Sequence, residues 1–339
     1  MPVALFALPG SRQVQRLHQT LQALSPGSAR LFSSALNEVD RVSMNSTGLL
    51  WNGARFAPGE RAFLHGFSYC DPVVPSADPE ADWSVWRFDY LEDQQKYSFL
   101  HSCFSELARQ GVQVINPPDI HRTFFMKAFL LERLRQAGFA VPQTICTNRL
   151  DVAEAFCRDH PKVVWRPGTG RAAWQLCLKP QREALCSPRK PPVLLAAVSD
   201  GPLVRGYLFE GQPLLLLHCS PPCMAPEELL EEFWEVQYPG LQGEFSRLAE
   251  DLGATWLEIH FVYQDGKALL YDMEADPLYD CLPASYQEKL TALLAARLLG
   301  LDAASLGARV AALERASRPT LYLRRMLQIL FEVEAQKYE

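Results

Sequence analysis

The segment that most constrains the fold is WLEIHFVYQDGKALLYDMEADP, residues 256–277. Two apolar runs flank an Asp-Gly pair, a pattern that is typical of a two-stranded β-hairpin. In the second strand, side chains two positions apart share one face, so Asp272, Glu274 and Asp276 should project side by side. Because crowded carboxylates repel one another, such a row needs a compensating cation, and Mg²⁺ is the usual ion with oxygen ligands.

The same row of acids has a simpler interpretation, namely a solvated edge strand whose charges prevent pairing with another sheet. In the preceding strand, Glu258 is the nearest candidate for a third acid, and His260 lies on the same face. Neutral imidazole is a poor ligand for Mg²⁺ compared with oxygen, so His260 is expected to have a supporting or structural role.

Composition restricts the class of protein. The chain has 339 residues, 48% of them hydrophobic, which is enough for a large core, and domain-size statistics suggest roughly two or three domains. Its net charge of −6 argues against a broad surface for nucleic acid. No apolar run approaches the roughly 20 residues that span a bilayer, and the start MPVALFALPGSRQVQR lacks the features of a secretion signal.

The nine cysteines form no CxxC pair, which favours reduced thiols over a disulfide framework or a zinc site. We therefore expect a cytoplasmic protein that binds neither nucleic acid nor a membrane. The sequence is compatible with a homo-oligomer.

Residues 1–118 alternate between strand-like and helical patterns. VALFALP predicts a buried strand, and Val14, Leu17, Leu21 and Leu24 recur at helical spacing. A second helix, DQQKYSFLHSCFSELARQG, precedes the strand VQVINPP. This order favours an α/β layer.

From Asp119 onward a new unit begins. HRTFFMKAFLLERLRQAG and RLDVAEAFCRDH predict helices, whereas KVVWRPGTGRAAWQL predicts a strand, a glycine turn and a strand. PVLLAAVSDGPLVRGYLFEGQPLLLLHC predicts two or three further strands. APEELLEEFWEVQYPGLQGEFSRLAEDLG predicts a helical segment, and so does the chain from Ala284 to its end.

The order of four segments resembles the ATP-grasp carboxylate–amine ligases. NPPDIHRTFFMKAFLLERLRQAGFAVPQT is similar to the entry segment of that family, and VVWRPGTG to its strand and glycine loop. VSDGPLVRGYLFEGQ resembles its arginine-containing strand, and LEIHFVYQDGKALLYDMEADP its paired metal-binding strands. The likeness covers residues from about 112 to 280 and rests on segment order, because no single motif is specific. Within the family the chain looks closest to RimK-like and microviridin-type peptide-modifying ligases.

The resemblance implies an ATP-grasp fold of the mixed α/β (α+β) class. It divides the chain into a pre-ATP-grasp α/β domain at 1–118, a first lobe at 119–193, a second lobe with the acidic strands at 194–283, and a helical extension at 284–339. The two lobes are expected to clamp a nucleotide between antiparallel sheets.

The same resemblance implies ATP and Mg²⁺ as cofactors and a small molecule or a peptide as substrate. Lys127 takes the place of the family's first nucleotide lysine and would contact phosphate, although a solvated helix lysine fits the pattern too. Arg166 stands where the family usually has lysine, and its planar guanidinium is not equivalent to an ammonium. Trp165 either packs on adenine or belongs to the core, in which case Arg166 pairs with a local carboxylate.

Two further segments are implied to contact the nucleotide. Gly168, Thr169 and Gly170 would form a flap over the phosphates, because glycine lets backbone N–H groups approach an anion. A common hairpin turn has the same pattern. The strand expected to read the adenine edge through its backbone has apolar side chains that would equally suit a core strand. It consists of Leu194, Leu195, Ala196 and Ala197.

Arg205 takes the place of the family's catalytic arginine, and a guanidinium suits bidentate recognition of phosphate or carboxylate. Within the apolar run LVRGYLF its charge needs a partner if it is buried.

The acidic strand fits the family in two registers. Counted from the turn, Asp272 takes the place of the family's glutamate and Glu274 that of its asparagine. Counted from the following proline, Glu274 and Asp276 take these places. The predicted metal ligands are therefore Glu258, Asp272, Glu274 and Asp276, and in both registers an acid replaces the usual amide.

Three hypotheses follow. The preferred one is an ATP- and Mg²⁺-dependent carboxylate–amine ligase that acts through an acylphosphate and forms an amide or an ester. The rival is a degenerate ATP-grasp protein that binds nucleotide or peptide without catalysis. It is motivated by Arg166 in place of lysine, by the acid in place of an amide, and by LHCSPPCMAPEELLEEFWE, which lacks the family's further arginine. The third is a structural α/β interaction protein that binds no nucleotide.

Overall fold

The computed structural model describes residues 2–36, 40–46, 48–67, 83–187, 189–220 and 232–301. The chain divides into two compact units, residues 1–118 together with 278–339, and residues 119–277. The division into four successive domains stays a prediction, and the expected helix beyond residue 301 lies outside the described residues. In the part of the chain that is described, no helix is both long and apolar enough to cross a bilayer.

The first unit contains a four-stranded parallel sheet in the order β2-β1-β5-β6 and a small β3-β4 hairpin. Its strands are β1 (Val3–Ala7), β2 (Ala29–Ser33), β3 (Val42–Asn45), β4 (Gly48–Trp51), β5 (Arg61–His65) and β6 (Gln113–Ile115). Its helices are α1 (Arg12–Leu24), α2 (Trp83–Arg109) and α8 (Ala284–Leu299). The α/β layer expected from the first 118 residues is thus present.

Helix α1 forms as its sequence predicts. Ser11 caps its first turn by accepting a hydrogen bond from the N–H of Val14 at 3.4 Å. The four predicted apolar positions are all buried. The segment before α8 also belongs to this unit, because the N–H of Tyr279 donates to Gln13 Oε1 at 3.0 Å and Arg16 pairs with Asp280.

The second unit contains two antiparallel sheets, in the orders β7-β10-β8-β9 and β13-β12-β11-β14-β15. The strands of the first are β7 (Thr144–Thr147), β8 (Val163–Pro167), β9 (Gln175–Leu176) and β10 (Val193–Ala197). Those of the second are β11 (Leu203–Phe209), β12 (Gln212–Ser220), β13 (Glu232–Glu235), β14 (Trp256–Gln264) and β15 (Lys267–Glu274). The helices are α3 (Pro118–Phe125), α4 (Lys127–Gln136), α5 (Leu150–Asp159), α6 (Lys179–Leu185) and α7 (Gln242–Leu252).

The predicted hairpin of β14 and β15 is confirmed. Asp265 and Gly266 connect the strands with φ angles of +51° and +78°. Two successive positive φ angles are what a two-residue turn that matches the strand twist requires. The fold-class prediction, a mixed α/β protein with two antiparallel sheets in this part of the chain, is confirmed as well.

Two predictions of secondary structure are wrong. The helix expected over residues 121–138 is interrupted at Met126, because the backbone there pairs with Thr169. Residues 232–235 form strand β13, not helix, because they pair with residues 217–220 of β12. Tertiary pairing thus overrides the helical propensity of a Glu-rich segment. The preceding residues 221–231 lie outside the described part of the chain.

Helix α7 packs on one face of the five-stranded sheet, where Phe245 and Leu248 join a buried cluster with Ile259 and Phe261. The β11–β12 turn lies directly against this helix. A Cβ atom added to Gly211 would lie 2.5 Å from the Cα of Ser246. The close approach therefore requires glycine.

This contact gives a test of the α7 packing. Gly211→Ala should destabilise the protein by about 1–3 kcal/mol for the left-handed backbone and by about as much again for overpacking. Gly266→Ala is the matched control, because Gly266 has a similar φ of +78° but nothing within 4 Å of an added Cβ. Urea unfolding measures both variants, and equal losses of stability would contradict the close packing.

Candidate active site

The acidic residues of β14 and β15 lie on one face of the five-stranded sheet. The register pairs Glu258 with Glu274 and His260 with Asp272. Across the neighbouring strand β11, Arg205 pairs with His260. Because alternate residues share a face, these five side chains form two cross-strand rows. The opposite face of the same strands belongs to the apolar core.

The side chain of Lys127 reaches this face at the edge strand β15. Its side chain is 2% exposed, so the interpretation as a solvated helix lysine is wrong. The Nζ atom lies 2.9 Å from Asp272 Oδ1 and 2.7 Å from Glu274 Oε1. It also donates to the carbonyl oxygen of Met273 at 2.6 Å. The ammonium therefore occupies the point on which two carboxylates converge.

The interruption of the helix at Met126 fixes the position of Lys127. The N–H of Lys127 donates to the oxygen of Gly168 at 3.0 Å, and the N–H of Gly170 donates to the oxygen of Phe125 at 2.9 Å. Met126 and Thr169 form the bridge between these bonds. The predicted glycine loop is thus paired with the start of α4, which brings loop and lysine together.

Arg166 supplies the second buried cation, with 1% exposure. It donates to Asp272 Oδ2 and, at 2.6 Å, to the oxygen of Gly170. Its guanidinium carbon lies 5.5 Å from the ring centre of Trp174, a cation–π contact. Trp165 precedes it in β8, points to the other face and packs against a cluster that contains Val163. Of the two interpretations, pairing of Arg166 with a carboxylate is the one observed.

Arg171 is a member of the site that sequence reasoning missed. Its guanidinium lies 3.3 Å from Asp276 Oδ2 and 3.6 Å from Glu274 Oε2, and it donates to the oxygen of Asp276 at 2.6 Å. The available signal was its position directly after Gly170, where a basic side chain lies near any anion that the loop binds.

Arg205 finds the partner that its charge requires. Its Nε lies 3.5 Å from Glu258 Oε1, and its guanidinium lies 6.0 Å from the ring centre of Phe233. His260 Nε2 lies 2.9 Å from the same carboxylate oxygen. Glu258 is 5% exposed and thus orients both neighbours from a buried position.

The predicted adenine strand is β10. It lies between β7 and β8 and pairs with both, and Leu194, Leu195 and Ala196 are at most 2% exposed. Their backbone N–H and C=O groups are engaged in the hydrogen bonds of the sheet. A base would therefore reach the backbone only where the pairing ends, near Ala197. The adenine contact itself stays a prediction.

Solved structures resemble the fold of this chain over nearly their whole length. The ATP-grasp ligase PsnB complexed with a precursor peptide and AMPPNP matches with a TM-score of 0.71 and 18% identity, over 88% of this chain and 96% of that one. PsnB with a minimal precursor, Mg and ADP gives 0.73 and 19% over the same shares. The chain has the ATP-grasp fold.

A more distant match is the macrocyclase MdnC bound with precursor peptide MdnA from Microcystis aeruginosa MRC. Its TM-score is 0.65 at 11% identity, over 88% of this chain and 99% of that one. No family model matches the sequence, and no curated protein matches it. The predicted resemblance is therefore confirmed at the level of the ATP-grasp fold.

Neighbouring carboxylates of the site have opposite pKa shifts. Burial would raise the pKa of Asp272, but the charges of Arg166 and Lys127 outweigh it and hold this pKa below its usual range. For Glu274, the effect of burial outweighs the attraction of the positive charge on Lys127, and the pKa is raised. Glu258 resembles Asp272, because His260 and Arg205 overcome the effect of burial and its pKa is lowered. Of these three carboxylates, Glu274 is therefore the one whose charged form is stabilised least by its surroundings.

The donor set fits Mg²⁺ in part. Within the described ranges, no three His, Cys, Asp or Glu side chains stand close enough to hold a metal by themselves. Mg²⁺ at nucleotide sites usually takes one or two carboxylates and completes its shell with phosphates and water. Asp272 and Glu274, which converge on one cation, meet that requirement. The wider set with Glu258 and Asp276 stays a prediction.

The opposite pKa shifts predict opposite mutational effects. Asp272→Asn should destabilise the protein by about 3–5 kcal/mol, because it removes the anion from two buried cations. Glu274→Gln should leave stability equal or slightly higher, because burial already disfavours its charge. Asp151→Asn is the control, since Asp151 pairs with Arg149 in solvent. Urea unfolding at neutral pH tests this, and equal losses for Asp272→Asn and Glu274→Gln would contradict it.

The lowered pKa of Asp272 also predicts a pH dependence. An unfolded aspartate titrates near its ordinary pKa of about 3.9, whereas the folded one stays ionised at lower pH. Its contribution to stability is therefore complete above about pH 4 and is lost as the pH falls towards the folded pKa. The stability difference between the parent and Asp272→Asn should shrink over that window. A constant difference from neutral pH down to about pH 3 would contradict this assignment.

Proposed function

We propose that the protein is an ATP- and Mg²⁺-dependent ligase that joins a carboxylate to an amine or hydroxyl, with a peptide as substrate. The observation that carries the proposal is the convergence of Lys127, Arg166 and the glycine loop on the acidic pair of β15, within an ATP-grasp fold. The PsnB and MdnC structures it resembles contain precursor peptides, and two PsnB structures contain AMPPNP or ADP.

The chemistry explains why such a site needs many cations. The γ-phosphoryl group of ATP passes to the substrate carboxylate, which gives an acylphosphate and ADP. The amine then attacks the acyl carbon, phosphate leaves, and the amine loses a proton. In the first step two anions must approach, so positioned positive charge lowers the barrier. Bound Mg²⁺ would add positive charge at the phosphates.

The position of each basic residue and of the glycine loop assigns it a part in this reaction. Lys127 and Arg166 are fixed by burial and would exchange carboxylate oxygens for phosphate oxygens. The loop from Gly168 to Gly170 is hydrogen-bonded to the start of α4, and its backbone would contact the phosphates. Arg205, whose side chain is 17% exposed and thus more accessible than that of Arg166, would stabilise the transferring phosphoryl group.

A second candidate function is binding of nucleotide or peptide without catalysis. A specific observation favours it. Each of the four acids already contacts a basic side chain: Asp272 and Glu274 contact Lys127, Glu258 contacts Arg205, and Asp276 contacts Arg171. The protein thus compensates its own carboxylates, and a site of this kind is stable without a catalytic metal.

Turnover separates the two candidates. The protein is incubated with ATP, Mg²⁺ and the peptide encoded beside its gene, and ADP release is measured together with the mass of the peptide. The ligase should release ADP and convert the peptide with loss of water. Nucleotide binding without ADP release would favour the second candidate. Absence of nucleotide binding would exclude the ligase, and absence of peptide binding as well would exclude both candidates.

The metal assignment predicts a separate effect on binding. Glu274→Gln should weaken ATP binding in the presence of Mg²⁺ by about tenfold, because the metal site loses one negative charge and one of the two carboxylate oxygens. Without Mg²⁺ the variant should bind ATP at least as tightly as the parent, because it lacks the carboxylate that competes with phosphate for Lys127. Glu250→Gln, on the exposed surface of α7, has the same charge change and serves as control. Calorimetry that gives equal affinities with Mg²⁺ for Glu274→Gln and the parent would remove Glu274 from the metal site.

A further inference from the structure

The hydroxyl group of Tyr271 closes the end of strand β10. It donates a hydrogen bond to the oxygen of Ala197 at 3.0 Å and accepts one from the N–H of Ser199 at 2.7 Å. The ring is 2% exposed and packs with Leu203 and Val262. Tyr271 directly precedes Asp272 in β15, so one strand contributes both to the acidic face and to this contact.

The N–H groups at this point have protein acceptors. The N–H of Ala197 donates to the oxygen of Gln143 at 3.0 Å, and the N–H of Val198 donates to the oxygen of Lys162 at 3.0 Å. With the bond from Ser199 to Tyr271, three successive N–H groups are therefore engaged within the protein. A base that needs an N–H donor here must replace one of these bonds.

The two bonds of Tyr271 correspond to those of an adenine edge. Adenine presents one donor, its exocyclic amine, beside one acceptor, a ring nitrogen, and a backbone strand reads that pair with a C=O and an N–H. A tyrosine hydroxyl is also one donor and one acceptor. Its bonds reach the C=O of residue 197 and the N–H of residue 199, the two groups that such a reading would use.

We propose that Tyr271 makes the nucleotide site insensitive to the base. Because its hydroxyl takes the backbone groups at Ala197 and Ser199, a nucleoside triphosphate is selected by its phosphates, and ATP and GTP bind with similar affinity. This inference rests on the proposed function together with the predicted adenine contact at the end of β10, which places the base beside Ala197.

The test compares two bases on three proteins. Calorimetry with Mg²⁺ measures AMPPNP and GMPPNP on the parent, on Tyr271→Phe and on the control Tyr263→Phe, whose ring is 39% exposed. The parent and the control should bind both nucleotides within about threefold. Tyr271→Phe frees the C=O and the N–H, which match adenine but oppose the oxygen and N–H of guanine. It should prefer AMPPNP by about tenfold or more.

The outcomes are distinct. A parent that prefers AMPPNP by more than about tenfold overturns the inference, and this result needs no variant. Equal binding of both nucleotides by the parent and by a folded Tyr271→Phe also overturns it, because the freed groups then read no base. Thermal melting establishes that the variant is folded. A parent that binds neither nucleotide rejects the proposed function, and this inference with it.

Discussion

The buried carboxylate of Asp272 is the interaction on which the second unit depends. It joins Lys127 at the start of α4 and Arg166 in β8 to strand β15, so one anion connects three elements that lie far apart in the sequence. Two buried cations without it would cost several kcal/mol. Because both cations also bond to the glycine loop, through the N–H of Lys127 and the guanidinium of Arg166, the position of the loop depends on the same ion pairs.

These ion pairs change how the crowded acids should be understood. The row of acids in the sequence predicts a compensating cation, namely Mg²⁺, whereas the protein itself supplies Lys127, Arg166, Arg171 and Arg205. Phosphates would compete with the carboxylates for the same basic groups. If they take the lysine and the arginines, the carboxylates lose their compensation, and a divalent ion restores it. Binding of nucleotide and of metal would then be coupled through charge alone.

Sequence patterns predicted the features that depend on local chemistry. The Asp-Gly turn, the alternation of acids along β15 and the glycine loop all follow from backbone geometry or spacing. The break at Met126, strand β13 and the role of Arg171 do not, because each is decided by a partner distant in sequence: Thr169, β12 and Asp276. The hydrogen bond of the Tyr271 hydroxyl is equally unpredictable from sequence, because an apolar strand pattern gives no indication of the distant carbonyl group that accepts it.

Asp272 and Glu274 show why spacing alone does not separate structural from functional acids. They share a strand, a face and a lysine, yet the pKa of one is lowered and that of the other is raised. The difference arises because Arg166 contacts Asp272, while Glu274 lies beside that anion and has the more distant Arg171. The fold therefore uses the charge of Asp272 for stability. Burial disfavours the charge of Glu274, and carboxylates perturbed in this way cluster at functional sites.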